Sequence, residues 1–299
     1  LAAYRQQPKS FYSDHPWVRL SDSDFLRMIG AVKKDRRGEL HPTMAGLLMF
    51  GAEGSIAAEL PEYHLDCFEF DAGQTDWKDR IASHTGDWSG NLFDFYGLVM
   101  NRIVMNTKRP FRLEKTVRID ENGLVKAQRE MVVNALVHAD YHGRGGVRIE
   151  LRPESFTARN PGLFRIPLAK AEEGGFSSPR NLGLAQMFAL IGAVARAGSG
   201  IPRIISACRE FGLPAPSFSE TVQPSTAKVR LFLAPNGEES TDEQVKDLMR
   251  TDGSITMETI ASRLSVSKST VYRTAERLKK AGEIERIGGT RGRWQVCDS

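Results

Sequence analysis

"REMVVNALVHADYHGRGG", Arg129 to Gly146, places a carboxylate, an amide and an imidazole at every fourth position of a run otherwise rich in Val, Leu and Ala. Residues four apart lie one above another on a helix, so Glu130, Asn134 and His138 form one polar stripe. Val132, Val133, Leu136 and Val137 fill the opposite side and are expected to pack on a sheet. Taken alone, the stripe also fits a helix with a solvated edge. His138 and His142 share a spacing that could hold a metal, but no third ligand is evident and Gly143 marks the helix end.

Working downstream, "GVRIELRP" and "SFTARNPG" alternate apolar and polar residues around Pro153-Glu154 and read as a hairpin. "NLGLAQMFALIGAVARAG" reads as a second apolar helix. "GSGIPRIISACREFG" is a glycine-rich turn leading into another helix, and "AKVRLFLAP" is a last strand. Upstream, residues 1–20 contain Pro8 and Pro16 and read as a linker or arm. Ser21 and Ser23 can cap a helix through Val32. "DRRGE" is a charged turn, and "HPTMAGLLMFG" is a short buried helix closed by Gly51. "YHLDCFEF" is a half-buried strand, "NLFDFYGLVMNRIVM" a helix, and "TVRI" a short strand before the turn "DENG". Helices and strands mix without regular βαβ alternation. This argues for an α+β class, a mixed sheet with helices on one face, rather than a doubly wound sheet.

Composition narrows the function classes. Of 299 residues, 40% are hydrophobic and 26% charged, as in a globular protein. A net charge of +4 with pI about 9.0 does not by itself indicate nucleic acid. No apolar run approaches the ~20 residues of a membrane span, and the opening residues show no signal-peptide pattern. Cys67, Cys208 and Cys297 are scattered and odd in number, which points to a reducing cytoplasm rather than a disulfide framework. The chain opens on Leu1, as a fragment would.

The glycine turns add to the stripe. "RNPGLF" follows a strand and "AGSGI" follows a helix, and glycine permits close approach of backbone to a ligand. In order, "PTMAGLLMFG", "REMVVNALVHADYHG", "NPG", "SSPRN" and "RAGSGI" resemble the divergent GHKL-type ATPase domain of RecG-related proteins, some described as helicases and others as transcriptional regulators. The resemblance covers residues ~60 to 235, and it implies an upstream Schlafen/AlbA-like domain that this chain lacks. It also implies that Glu130 polarises an attacking water, that Asn134 binds the Mg²⁺ bridging the phosphates of ATP, and that His138 lines the pocket. The adenine-reading turn corresponds to Asn160-Pro161-Gly162, with Asn160 where the family has Asp. The glycine-rich lid corresponds to Gly198, Ser199 and Gly200. A phosphate loop of the G-x-x-x-x-G-K-[ST] kind is absent, so helicase chemistry is not implied.

"PNGEESTDE" is polar and turn-rich, which places a domain boundary there. The segments expected are a linker at 1–20, an N-terminal helical segment at 21–59, the ATPase-like domain at 60–235 and a last domain at 236–299. In that last domain, helices read as 241–250, 256–264 and 268–280, with Thr256 and Ser267 as caps. Ile260, Leu264, Val271 and Leu278 supply a core, and a hairpin turns around Gly288-Gly289. The segment resembles a winged helix-turn-helix. From Arg263 to Arg293 it holds nine Lys or Arg against three Glu. Lys268, Ser269, Tyr272, Arg273 and Lys280 are the candidates for the DNA groove, and Arg291 and Arg293 those for the wing.

Two main readings follow, beside a third in which the chain is a purely structural oligomerisation module. One is a cytoplasmic, homodimeric regulator that binds double-stranded DNA and carries a divergent nucleotide module. The other is a DNA-associated ATPase that uses Glu130 and Asn134 with ATP and Mg²⁺.

Overall fold

The structure is a computed structural model that describes residues 1–5, 16–106, 113–114, 117–118, 123–194, 198–234, 241–264, 266–287 and 292–297. The chain divides into two compact units, Leu1–Pro235 and Asn236–Ser299.

The first unit opens with α1 (Ala2–Arg5). Its Tyr4 is only 3% exposed, donates to the Met187 carbonyl at 2.7 Å and meets the rings of Phe25, Phe50 and Phe93 edge-on. The start of the stretch read as an arm is therefore anchored in the core. In α2 (Asp22–Met28), Ser21 accepts from the Asp24 amide as expected of a cap. The helix stops well short of Val32, because Gly30 turns the chain at φ 76° and Val32 enters β1 (Val32–Lys34), paired with β2 (Leu40–Pro42). Next come α3 (Met44–Phe50), capped by Thr43, and α4 (Glu53–Glu59). Gly46 in α3 lies so close to Ala31 that a Cβ would stand 1.9 Å from its carbonyl oxygen, so only glycine fits there.

The remaining elements of this unit are β3 (Leu65–Glu69), β4 (Asp79–Ala82), α5 (Leu92–Asn106), β5 (Leu113–Glu114), β6 (Val117–Arg118), α6 (Gly123–His138), β7 (Val147–Leu151), β8 (Ser155–Pro161), α7 (Leu168–Glu173), α8 (Leu182–Leu190), α9 (Gly200–Glu210), β9 (Ser217–Val222) and β10 (Ser225–Phe232). Six strands form one sheet in the order β4-β3-β7-β8-β10-β9. β3 and β7 run parallel and the other neighbours antiparallel, which makes the sheet mixed. Leu65, Cys67, Ile149, Phe156, Ala158 and Leu231 point from it into a core shared with the helices.

α6 is the helix that holds the layers together. It packs on β8 and also against α5, α8 and α9. Val132 and Leu136 are fully buried, and Val133 and Val137 nearly so. Glu130 on the opposite stripe is buried too, at 5% exposure, so this is not a helix with a solvated edge. α8 is shorter than its apolar sequence suggests: it ends at Leu190 and Gly192 turns at φ 68°. β3 is not half-exposed either. Its polar Asp66 is 8% exposed, held by His64 at 2.6 Å and Arg80 at 2.8 Å. Burial pushes the Asp66 carboxyl up, but these two partners hold it below the usual carboxylate range.

In the second unit, α10 (Thr241–Thr251), α11 (Met257–Leu264) and α12 (Lys268–Lys280) are followed by the hairpin β11 (Ile284–Ile287) and β12 (Arg293–Val296). Ile260, Val271 and Leu278 are buried in its core with Val245, Met249 and Ile284, and Leu264 packs at the edge. Thr256 accepts from the Thr259 amide and Ser267 from the Thr270 amide, each at 3.1 Å. No helix among the described residues is long and apolar enough to cross a membrane.

Candidate functional site

Glu130, Asn134 and His138 climb two turns of α6, about 12 Å of rise. They meet different neighbours at the two ends. At the lower end, the first residue of α9 closes over the stripe. A Cβ on Gly200 would lie 2.4 Å from a Glu130 carboxylate oxygen and 3.0 Å from the Asn134 amide nitrogen. The structure thus brings Glu130, Asn134 and Gly200 together, as one site would require. It does so by direct contact. The carboxylate sits at a helix N-terminus, where unpaired N–H groups and the helix dipole favour negative charge. Ser199 is the N-cap position of α9. Gly198, at φ 76°, is pressed on the backbone of Gly175 and Phe176, and its carbonyl accepts from the Gly175 amide at 3.0 Å. The glycines of this turn serve chain packing.

The upper end is built by Arg180 and Asn181. The Arg180 Nε donates to the His138 carbonyl at 3.1 Å, and the Asn181 side-chain amide donates to the carbonyls of Val137 and Ala139 at 3.0 and 2.8 Å. These bonds satisfy the orphan carbonyls at the end of α6, and the Arg180 cation complements its dipole. Burial, then Arg180 and Arg165, lowers the His138 pKa to about 4, so the ring is neutral near pH 7. Gly162, at φ 93°, packs against the Arg180 guanidinium, where a Cβ would stand 2.8 Å from a terminal nitrogen. Asn160 is 8% exposed, and its side-chain amide donates to the Pro161 carbonyl at 2.9 Å. α6 ends at His138, so His142 lies in the following turn and the two imidazoles do not occupy successive turns of one helix. Arg180 and Asn181 were missed as site residues. Their signal was a cation-amide pair in "SSPRN", legible only once it is known which helix end they meet.

Mg²⁺-ATP needs space between a carboxylate that can reach water and a glycine turn that can wrap phosphates. Here Glu130 is buried and the turn touches it, so the residues as arranged do not fit that group. A groove of about 400 Å³ is lined instead by Phe164–Leu168 and Phe218–Glu220, none of them a member of the stripe.

The second unit presents a different surface. Val271, Thr274, Ala275 and Leu278 of α12 face inward, while Ser269, Tyr272, Arg273 and Lys280 are exposed, Tyr272 at 54%. Glu276 lies on the same outward stripe. Lys268 is exposed but paired with Glu258 at 3.0 Å, and the Arg273 Nε donates to the Ser269 carbonyl at 3.4 Å. Arg277 pairs with Asp242. Arg293 is exposed on β12, whereas Arg291 lies outside the described residues.

These two units define a class: a mixed α+β fold followed by a helix-turn-helix domain. The comparisons with known proteins agree. Residues 145–229 match the family described as "Putative ATP-dependent DNA helicase recG C-terminal". Residues 244–293 match an HTH domain family, and residues 1–66 match a domain of unknown function. The chain therefore carries a RecG C-terminal-like domain followed by a helix-turn-helix, the architecture that the sequence resemblance implied. No curated protein matches the chain. Among solved structures, the DIP2311 protein from Corynebacterium diphtheriae is similar in fold, with a TM-score of 0.57 and 19% identity. The match covers 99% of this chain and 60% of that one, so this chain spans less than two thirds of its length.

Proposed function

We propose that this protein is a DNA-binding transcriptional regulator whose ATPase-type unit has no turnover. The observation that carries the reading is the outward face of α12, where Ser269, Tyr272, Arg273 and Lys280 stand in solvent on a helix whose other face is locked into the core. A helix held this way offers its N-terminal half to a major groove, where a guanidinium can address base edges and a Lys the phosphates. Arg293 on the wing is placed for phosphate or minor-groove contact. The match to a helix-turn-helix family supports the same reading.

For the first unit, the contact of α9 with Glu130 and Asn134 supports a body that senses or dimerises rather than hydrolyses ATP. A homodimer is the natural partner state, since two-fold symmetry lets paired winged helices read paired half-sites. A cytoplasmic location follows from that role. The test is titration of the full chain against a duplex selected from a random library and against its scramble. Arg273→Ala is expected to cost about 1–3 kcal/mol on the selected duplex and to relax sequence preference. Equal affinity of variant and wild type for both duplexes would overturn the assignment of α12.

A further inference from the structure

The six-stranded sheet ends in two unlike edges. β4 closes one of them and is only four residues long. Two of the four, Asp79 and Arg80, are charged, and Arg102 of α5 pairs with Asp79. Short length and charge guard a strand edge, whose unpaired N–H and C=O groups otherwise recruit another strand. β9 closes the other edge without such guards. It runs six residues, Ser217–Val222, and pairs with β10 in unbroken register, with no Lys or Pro within it. Among the described residues no backbone bond links it to any strand but β10. Its one charge, Glu220, is turned back on its own chain, where a carboxylate oxygen accepts from the Phe164 amide.

The residues of β9 indicate what pairs with it. Phe218 stands opposite Val229, which packs on the core, so Phe218 and Glu220 share the core-bearing face. Ser217, Ser219 and Thr221 share the other face, and all three carry hydroxyls. A second β9, laid antiparallel on this edge about a two-fold axis through Ser219, matches the first. Ser219 then faces its own copy, Ser217 faces Thr221 and Phe218 faces Glu220. Hydroxyl pairs across strands are stabilising, and no like charges come directly opposite. The next position sets Val222, 72% exposed, against the partner's Pro216. An axis through Glu220 would instead set two carboxylates face to face, which disfavours that register. The axis through Ser219 also fills the groove of about 400 Å³ beside β9. Phe164, Ile166, Pro167 and Leu168 wall this groove, and Phe218 and Glu220 form its strand side. The partner's Phe218, opposite Glu220 on the same face, comes to its open side.

We infer that β9 is a homodimer interface, at which two copies of the chain join edge to edge, antiparallel about Ser219, into one continuous sheet. The inference rests on the reading of the chain as a homodimeric regulator and names the surface that reading needs. The joint gains about four to six main-chain hydrogen bonds. Two short strands make an interface at the small end of the specific ones, so the dimer is expected at about micromolar Kd. DNA with paired half-sites strengthens it, because binding of one copy raises the effective concentration of the other.

The test is sedimentation velocity of the full chain, without DNA, at about 1–100 µM. The wild type is expected to pass from monomer to dimer over this range. Ser219→Glu sets two carboxylates opposite each other across the axis and should raise the dimer Kd at least about tenfold. Within one chain the new carboxylate stands opposite Lys228, a pairing of opposite charges that the strand pair tolerates. Ser219→Gln has the same size without the charge and should keep the dimer. Ser219→Lys should be monomeric alone, while an equimolar mixture with Ser219→Glu should dimerise at least as well as the wild type. If Ser219→Lys melts early, the contrast between the Glu and Gln variants carries the test. Equal dimerisation of these two variants overturns the inference and leaves a homodimer through another surface, with the proposed function standing. A mixture of folded Glu and Lys variants that stays monomeric also overturns it. A wild type still monomeric at about 100 µM overturns both this interface and the homodimeric state, and leaves the edge to an extended segment of another protein. The assignment of α12 is decided separately, by Arg273→Ala on DNA.

Discussion

Replacing Gly200 with Ala tests whether α9 really closes over the polar stripe. The new Cβ would stand 2.4 Å from a Glu130 oxygen and 3.0 Å from the Asn134 amide nitrogen. The first distance is about 1 Å inside ordinary van der Waals contact, and the oxygen belongs to a side chain only 5% exposed. Either the carboxylate or the start of α9 must move. Overpacking of this kind costs about 1–3 kcal/mol. Alanine recovers up to about 1 kcal/mol over glycine inside a helix, and less at its first position. The net loss is about 1–2 kcal/mol, or roughly 2–8 °C in melting temperature for a unit of this size. Calorimetry of Gly200→Ala, Glu130→Ala and the double variant forms the cycle. The Gly200→Ala penalty should shrink by at least about 1 kcal/mol when Glu130 is already Ala, because the two positions touch. Were the stripe to line an open pocket, the new methyl would face solvent and cost nothing. A Gly200→Ala protein that melts at or above wild type, or strict additivity in the cycle, would refute the closed arrangement.

The His138 pKa is lowered to about 4 in the folded chain against an unfolded value near 6.5. The unfolded state therefore binds more protons between these values, and stability present above pH 6.5 is lost as pH falls, by at most on the order of 3 kcal/mol. His138→Gln should flatten the urea midpoint between pH 6.5 and 5, and an unaltered pH profile would contradict the burial of this ring. Ser267→Ala removes the bond to the Thr270 amide and should lower the melting transition of the C-terminal unit by about 4–8 °C, for about 1 kcal/mol. An unshifted transition would mean that the cap contributes nothing. Millimolar Mg²⁺-ATP should leave the melting temperature unchanged and release no phosphate. A rise that Asn134→Ala abolishes would restore the ATPase reading, because a ligand that binds only the folded state must stabilise it.

The sequence made some parts of this molecule easy to read and hid others. The winged helix was legible because its helices are short, capped by Thr256 and Ser267, and amphipathic on their own. The hairpin of β7 and β8 was legible from its alternation around Pro153-Glu154. Val32 was read as helix because local apolar spacing carries no trace of the positive φ at Gly30. Tyr4 looked like part of a polar arm, since nothing local announces that its ring enters a core built by Phe25, Phe50 and Phe93. Glu130 and Asn134 were legible as one helical stripe from their spacing. What the stripe meets at each end, Gly200 and the Arg180-Asn181 pair, depends on packing between elements distant in sequence.

The central claim, that DNA is engaged through α12, is tested most directly by backbone amide chemical shifts of the full chain during titration with a short duplex. The expected result is a set of large, saturable shifts along the outward face of α12 at Ser269, Tyr272, Arg273 and Lys280, joined by Arg293 on the wing. A saturating duplex that leaves all of these amides unmoved would contradict it.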